Sequence, residues 1–330
     1  MVHYFARRIL IGIFTLGLIT LVIYGLIRNM PGDPLALAAL GALDAGQQVS
    51  SVHYEAMRKE MGLDRHWMVG YFQWLSGLLQ GDLGNSLVGD RMAVTAIIAP
   101  RIGPTLLLSM TSLVLAYLLS IPLGLYCGVR SGTWQERTLT TLLYMLYSLP
   151  SFVAALYFLI LFSVRLDWLP LSGMRSSDEV YGRLSAPGKA WDILRHLVLP
   201  VACSTYASLA YYVRFIRSNL QEVIRQDYIR TARAKGLSER AVVLKHAFRN
   251  TLIPLVTLFG LTLTALLSGS VILEQIFGWP GIGRLFLDRI YQRDYPVIMG
   301  LVLLFSLLVL AGNLLADLLY ALVDPRISYS

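Results

Sequence analysis

The chain is short of most of what water-soluble chemistry uses. Charged residues make up 15% of its 330 residues, against about a quarter in an ordinary soluble domain, so a water-soluble globule of this size is excluded. There are two cysteines, Cys127 and Cys203. Both fall within or at the edge of long apolar runs, so they imply no disulfide framework and read as small packing residues. The five histidines, His3, His53, His66, His196 and His246, all lie outside those runs. A Ser-His dyad or an HExxH zinc site buried in a bilayer is therefore excluded, and no catalytic or metal-binding residue is expected. A phosphate loop is missing too: Gly188-Lys189 is followed by Ala190, and Arg183 stands where the loop's first glycine should be. No internal repeat and no low-complexity segment is present.

What the chain has is apolar length. Apolar residues are 56% of the sequence and the mean hydropathy is +0.60, values of a polytopic membrane protein. Crossing a hydrocarbon core takes roughly 20 apolar residues as helix. Six stretches qualify: 9–27, 103–127, 138–164, 197–213, 251–273 and 297–323. They are too long and too continuous for barrel strands. The first could be the core of a signal peptide, with Arg7 and Arg8 before it and Ala36-Leu37-Ala38 after it. Its uncharged run exceeds the roughly 7–15 residues of a signal core, however, and Arg28 and Asp33 intervene. It is expected to stay as a helix.

Lysine and arginine near short loops set orientation. With the N-terminus inside, the cytoplasmic segments hold 14 of the 28 basic residues and five acids, a net +9, while the outer segments hold 14 of each. Asp317, within the last span, brings the total to the chain's +8. Both termini are thus expected in the cytoplasm. The basic character is a matter of topology, which removes nucleic acid as an expected partner and leaves the lipid membrane.

Residues 28–102 form a long outer segment that opens on Pro31-Gly32-Asp33-Pro34 and carries an amphipathic stretch. There Tyr71, Phe72, Trp74, Leu75, Leu78 and Leu79 recur at helical spacing before the turn Gly81-Asp82-Leu83-Gly84. The first span with this segment, residues 1–102, is one expected unit, and the five-span remainder, 103–323, the other. Pro122, Pro150 and Pro200 fall inside or at the ends of spans, where a missing donor bends or interrupts a helix. Pro150, the most central, is the candidate gate. Uncharged polarity in the spans suits a path for a hydrated solute. The pathway candidates are Tyr147, Ser148, Pro150, Ser151, Tyr211, Thr262 and Thr264. Ionisable residues at membrane depth are nearly missing: Asp317 lies in the last span and Glu274 at the edge of the fifth. That is thin for a proton relay and argues against a stand-alone secondary carrier.

Between the fourth and fifth spans, the connector 214–250 holds nine basic residues against three acids. Residues 218–235 read as one helix with Leu220, Val223, Ile224, Tyr228 and Ala232 on its apolar side. Gly236 is its stop, and Ser238 caps a second helix. Composition leaves two uses open for this elbow, a membrane-surface helix or a knob for a protein groove.

Asp227-Tyr228-Ile229-Arg230-Thr231-Ala232-Arg233-Ala234-Lys235-Gly236-Leu237, with Leu244-Lys245-His246-Ala247 and Arg249-Asn250-Thr251-Leu252-Ile253-Pro254 after it, closely resembles the cytoplasmic EAA loop of ABC-importer permeases, specifically the dipeptide/oligopeptide branch. Arg7-Arg8, Pro31 to Pro34, Gly81 to Gly84 and Phe277-Gly278-Trp279-Pro280-Gly281-Ile282-Gly283 fall where that family places similar segments. Arg230 stands at the place of the general motif's glutamate. The resemblance implies a six-span type I importer permease of the bacterial inner membrane, non-catalytic and without a cofactor of its own. It pairs with a homologous permease; two ATPase subunits bind ATP and magnesium, and an extracytoplasmic solute-binding protein delivers the substrate. It implies that residues 227–237 couple to an ATPase, and that the solute is a peptide or else a nickel chelate, glutathione or an antimicrobial peptide.

Overall fold

The computed structural model describes residues 2–29, 55, 58–59, 64–88, 90–266 and 270–323. Pro31 to Pro34 and Ala36 to Ala38 lie outside the described residues, as do the side chains of Thr264 and Asp317. The described residues are helical, and their only extended pairing is a single antiparallel bridge between Asn85 and Ala93.

The helices, in chain order, are α1 (Val2–Arg28), α2 (Trp67–Leu79), α3 (Val94–Val129), α4 (Trp134–Ser148), α5 (Ser151–Phe158), α6 (Asp178–Arg183) and α7 (Ala186–Ile224). They are followed by α8 (Asp227–Ala234), α9 (Glu239–Ala241), α10 (Phe248–Leu266), α11 (Val271–Ile276), α12 (Ile282–Tyr291) and α13 (Tyr295–Val323). Among the described residues four helices are long and apolar enough to cross a membrane, over Arg7–Arg28, Val94–Val129, Ala186–Ile224 and Tyr295–Leu315. The pair α4 and α5, with its π-helical continuation Leu159–Arg165, adds a fifth crossing if the two halves count as one. At about 1.5 Å per residue, α7 is far longer than the roughly 30 Å hydrocarbon core, so an end of it projects into water.

Two stretches depart from the expected spans. Residues 138–164 do not form one rod: α4 and α5 meet at 89°. Pro150 has no N–H to continue the ladder, and the ring restricts Leu149 before it to an extended conformation, φ −80° and ψ 119°. The Tyr206 hydroxyl donates to the freed Leu149 carbonyl at 3.0 Å. Pro122, Pro200 and Pro254, by contrast, sit within unbroken helices. Nor does 251–273 run as one helix: Ser270 is extended, φ −103° and ψ 90°, and Val271 to Leu273 belong to the separate α11.

The contacts divide the chain into two units, residues 1–103 with 281–310 and 329–330, and residues 104–280 with 311–328. In the first, Tyr71 of α2 hydrogen-bonds Thr20 of α1 at 3.1 Å and donates to the Gly17 carbonyl at 3.1 Å. The predicted turn after α2 forms, with Gly81 and Gly84 both at positive φ. Val94, Ile98, Ile282, Leu285, Val297 and Leu301 make a buried core. Beside it the fully buried Asp294 carboxylate accepts from the Ser86 hydroxyl, from the Leu87 amide at 3.0 Å and from Arg289 at 3.0 Å. A buried charge persists only when it is paired in this way.

In the second unit α3 and α7 approach closely over glycine. A Cβ at Gly124 would lie 2.7 Å from Ile216, and one at Gly128 2.6 Å from Leu220. Small residues at such crossings let backbones pack where lipid offers no hydrophobic drive. Gly124→Val is therefore expected to cost about 1–3 kcal/mol by overpacking, read as a lower Tm of the purified chain in detergent. Cys127 packs with Leu143, Ala210 and Val213, and Cys203 with Ala155, Leu159 and Leu199, each as a small core residue. Glu274, at the edge of the fifth expected span, is fully buried and accepts from the Thr105 hydroxyl at 2.9 Å.

Candidate functional site: a helix, glycine and helix elbow

The elbow starts where α7 stops. The expected single helix over 218–235 is split: α7 ends at Ile224, Arg225 caps it, and Gln226 takes an extended conformation, φ −72° and ψ 149°, to open α8. Neither Gly nor Pro marks this break. The amides of Ile229 and Arg230 bond the Gln226 carbonyl at 3.1 and 3.3 Å, so the backbone alone restarts the helix. Asp227 in the first turn and Arg233 in the last complement the helix dipole.

The stop at Gly236 forms as predicted. The Gly236 amide bonds the Arg233 carbonyl at 2.9 Å and the Leu237 amide the Ala232 carbonyl at 3.4 Å, the paired bonds of a Schellman ending. Gly236 sits at φ +76°, a conformation that side chains with a Cβ rarely adopt. Ser238 then caps α9, its hydroxyl accepting from the Ala241 amide at 3.4 Å. The chain continues through a π-helical turn, Val242–Ala247, into α10.

One face of α8 holds the elbow in place. Ile229 and Ala232 are buried with Leu220 of α7 and with Val242 and Ala247 of the π-helical turn; Leu125 of α3 and Val223 and Ile224 of α7 pack around them. Tyr228 accepts a hydrogen bond from Asn250 at the start of α10. The other face is open: Asp227, Tyr228, Arg230, Thr231, Arg233, Ala234, Lys235, Gly236 and Leu237 are exposed. Nine of the ten coupling candidates are thus exposed, and the tenth, Ala232, anchors the helix. Arg230 reaches Asp227 at 3.4 Å, and the Thr231 hydroxyl caps the Asp227 carbonyl at 3.0 Å.

Across the corner Arg233 grips Glu239 with two bonds, Nε to Oε2 at 3.2 Å and Nη2 to Oε1 at 2.6 Å. The hydrogen bond from Arg233 holds the Glu239 carboxyl below its ordinary range, and the same bond raises the Arg233 guanidinium. A depressed carboxylate contributes stability that is complete above its unfolded value of about 4.3 and lost as pH falls through the folded value. Tryptic nicking after Lys235, normalised to a reference peptide, is therefore expected to be equal at about pH 6 and about pH 8. Glu239→Gln is expected to speed it by a factor of roughly two, the worth of about 0.5 kcal/mol for a solvent-screened pair.

The pathway candidates fall in two places. Tyr147, Ser148, Pro150 and Ser151 surround the bend between α4 and α5; Tyr147 is 59% exposed, and the Ser148 hydroxyl donates to the Met145 carbonyl at 2.8 Å. Tyr211 stands exposed on α7 with its ring 5.7 Å from Tyr212. Thr262 accepts from the Tyr212 hydroxyl at 3.3 Å and donates to the Leu258 carbonyl at 2.8 Å. Tyr212 is buried against Tyr117, so Thr262 is tied into helix packing.

Two family models match the chain: the binding-protein-dependent transport system inner membrane component over residues 120–329, and the N-terminal part of that component over residues 1–109. An oligopeptide transport system permease protein, AppB, of Bacillus subtilis (strain 168) is 39% identical over 329 residues, all of both chains. A glutathione transport system permease protein, GsiC, of Pectobacterium atrosepticum is 39% identical over 329 residues, again all of both. The inward-facing MetNI methionine ABC transporter contains a chain of similar fold, with a TM-score of 0.55 at 18% identity over 72% of this chain and 100% of that one.

Proposed function

This chain belongs to the binding-protein-dependent transport system inner membrane component family, and on that premise we propose that it forms, with a homologous permease, the path of an ATP-driven peptide importer. It is the permease subunit of an ABC importer, and its relatives over the full length are permeases. The single observation that carries the coupling role is the elbow: a rigid corner anchored on α3 and α7 by Ile229 and Ala232, with its charged face turned outward. An ATPase subunit seats residues 227–237, and closure of the ATPase pair on ATP moves the elbow and, through its apolar anchor, the spans. ATP and magnesium belong to those partners. A solute-binding protein delivers the substrate on the outer face. The chain crosses the inner membrane six times, with both termini in the cytoplasm.

Peptide as the substrate class is supported by the full-length identity to an oligopeptide permease. The equal identity of the glutathione permease favours a second reading within the same chemistry, import of that one small peptide. Co-purification of the complex with its binding protein, followed by mass spectrometry of the released ligand, separates the two. A mixture of peptides supports the first, glutathione alone the second, and a nickel chelate or other non-peptide solute contradicts both.

A further inference from the structure

Glu136 opens α4 at the turn from α3, and it is buried, its side chain 4% exposed. Three groups hold its carboxylate: Arg217 of α7 at 3.0 Å, the Thr140 hydroxyl at 3.0 Å and the Gly132 amide at 3.3 Å. Thr133 caps the same helix, accepting from the Glu136 amide at 3.4 Å. A second contact closes the same turn onto α7, the Gln221 amide donating to the Ser131 hydroxyl at 2.6 Å. Arg217 and Gln221 lie one turn apart on α7 and flank Leu220, whose side chain is the α7 member of the elbow's buried anchor. A carboxylate taken out of water this completely is costly unless its partners stay in place. The turn 131–136 and the last turns of α7 therefore move as one block.

We infer that the Glu136–Arg217 pair is a positioning latch that passes displacement of the elbow to α4, and along it to the bend at Pro150. This rests on the elbow's coupling role. The apolar anchor joins α8 to α7 and α3, but among the described residues it includes no residue of α4. Helix α4 also packs on α7 through Leu139 and Leu143 against Ala210 and Val213. The latch adds the polar tie nearest the elbow, and α4 ends at the 89° break, so a rigid displacement at Glu136 reaches the place where the span is already interrupted. Glu136 and Arg217 touch neither solute nor nucleotide in this scheme. They act through the position of α4.

The test uses the complete importer in proteoliposomes, with solute imported per ATP hydrolysed as the readout. Glu136→Gln keeps the shape and removes the charge; Arg217→Lys keeps the charge and removes the planar fork. Both are expected to lower the ratio, Glu136→Gln by about tenfold and Arg217→Lys by less. The reversed pair, Glu136→Arg with Arg217→Glu, is expected to recover part of it. A merely structural pair would lower the yield of assembled complex and leave the ratio of what assembles unchanged, and that result overturns the latch. If Glu136→Gln fails to assemble, Arg217→Lys decides alone: a wild-type ratio overturns the proposal. Gly236→Pro, measured alongside, separates the two levels. If it blocks import while the pair variants keep the wild-type ratio, the latch alone fails; if it leaves import intact, the elbow's role fails with it.

Discussion

Gly236→Pro is expected to abolish ATP-driven uptake while the chain still inserts in the membrane. Proline fixes φ near −65°, whereas position 236 lies at +76°. Its ring also removes the amide that closes α8 on the Arg233 carbonyl. The corner cannot form, at a cost of about 3 kcal/mol or more, and the exposed face of α8 is turned out of register with its anchor. The loss is local because Gly236 is exposed and a Cβ there would meet nothing within 4 Å, so the objection to a side chain is conformational and not steric. Gly236→Asn, which tolerates positive φ better than other residues with a Cβ, is expected to retain most uptake. Membrane fractionation and radiolabelled peptide uptake check both. Charge reversal at Arg233 and Lys235 is expected to uncouple uptake while the chain still inserts; at position 233 it also breaks the pair with Glu239 across the corner.

The second large effect is on stability. Trp279 is fully buried against Leu108, Leu197 and Val201, and its indole N–H donates to the Pro104 carbonyl at 2.9 Å. That carbonyl lies within α3, so the bond ties the loop to that helix. Trp279→Ala removes the ring and the donor together and is expected to cost about 3–5 kcal/mol. Trp279→Phe keeps most of the volume and loses the donor, at about 1–3 kcal/mol. Thermal unfolding in detergent, followed by tryptophan-independent light scattering, ranks the two. An alanine variant as stable as the wild type would mean that the loop is not a structural tie.

Much of this was legible in the chain. Long apolar runs locate the spans because nothing else accounts for so few charges, and glycine at 236 with serine at 238 marks the corner because each residue has one backbone or capping role there. The turn at Gly81 to Gly84 is readable for the same reason. What the sequence conceals is where helices break without a specialist residue. Arg225 and Gln226 carry no glycine, proline or side-chain cap, and the split there is decided by Ile229 and Ala232 seeking the core with Val242 and Ala247. Pro150 signals an interruption but not an angle of 89°. Glu136 looks like one more cytoplasmic charge, and its burial depends on Arg217, some eighty residues later in the chain. Thr133-Trp134-Gln135-Glu136 has the spacing of a capping box, and that is the local sign of a structured acid at this position. Asp294 is likewise unremarkable in sequence and fully buried in the fold, whereas Glu274 stands out in sequence as a charge at the edge of a span without showing that it is buried.

If the elbow seats in an ATPase subunit, its open face, and not its anchored face, makes the contact. Photo-cross-linking from single positions in the assembled importer tests it most directly, with benzoylphenylalanine at Arg230, Lys235 and, as the buried control, Ile229. Covalent adducts with the ATPase from positions 230 and 235, and none from 229, are the predicted result. Adducts from 230 and 235 to lipid alone would contradict it and return the elbow to the membrane surface.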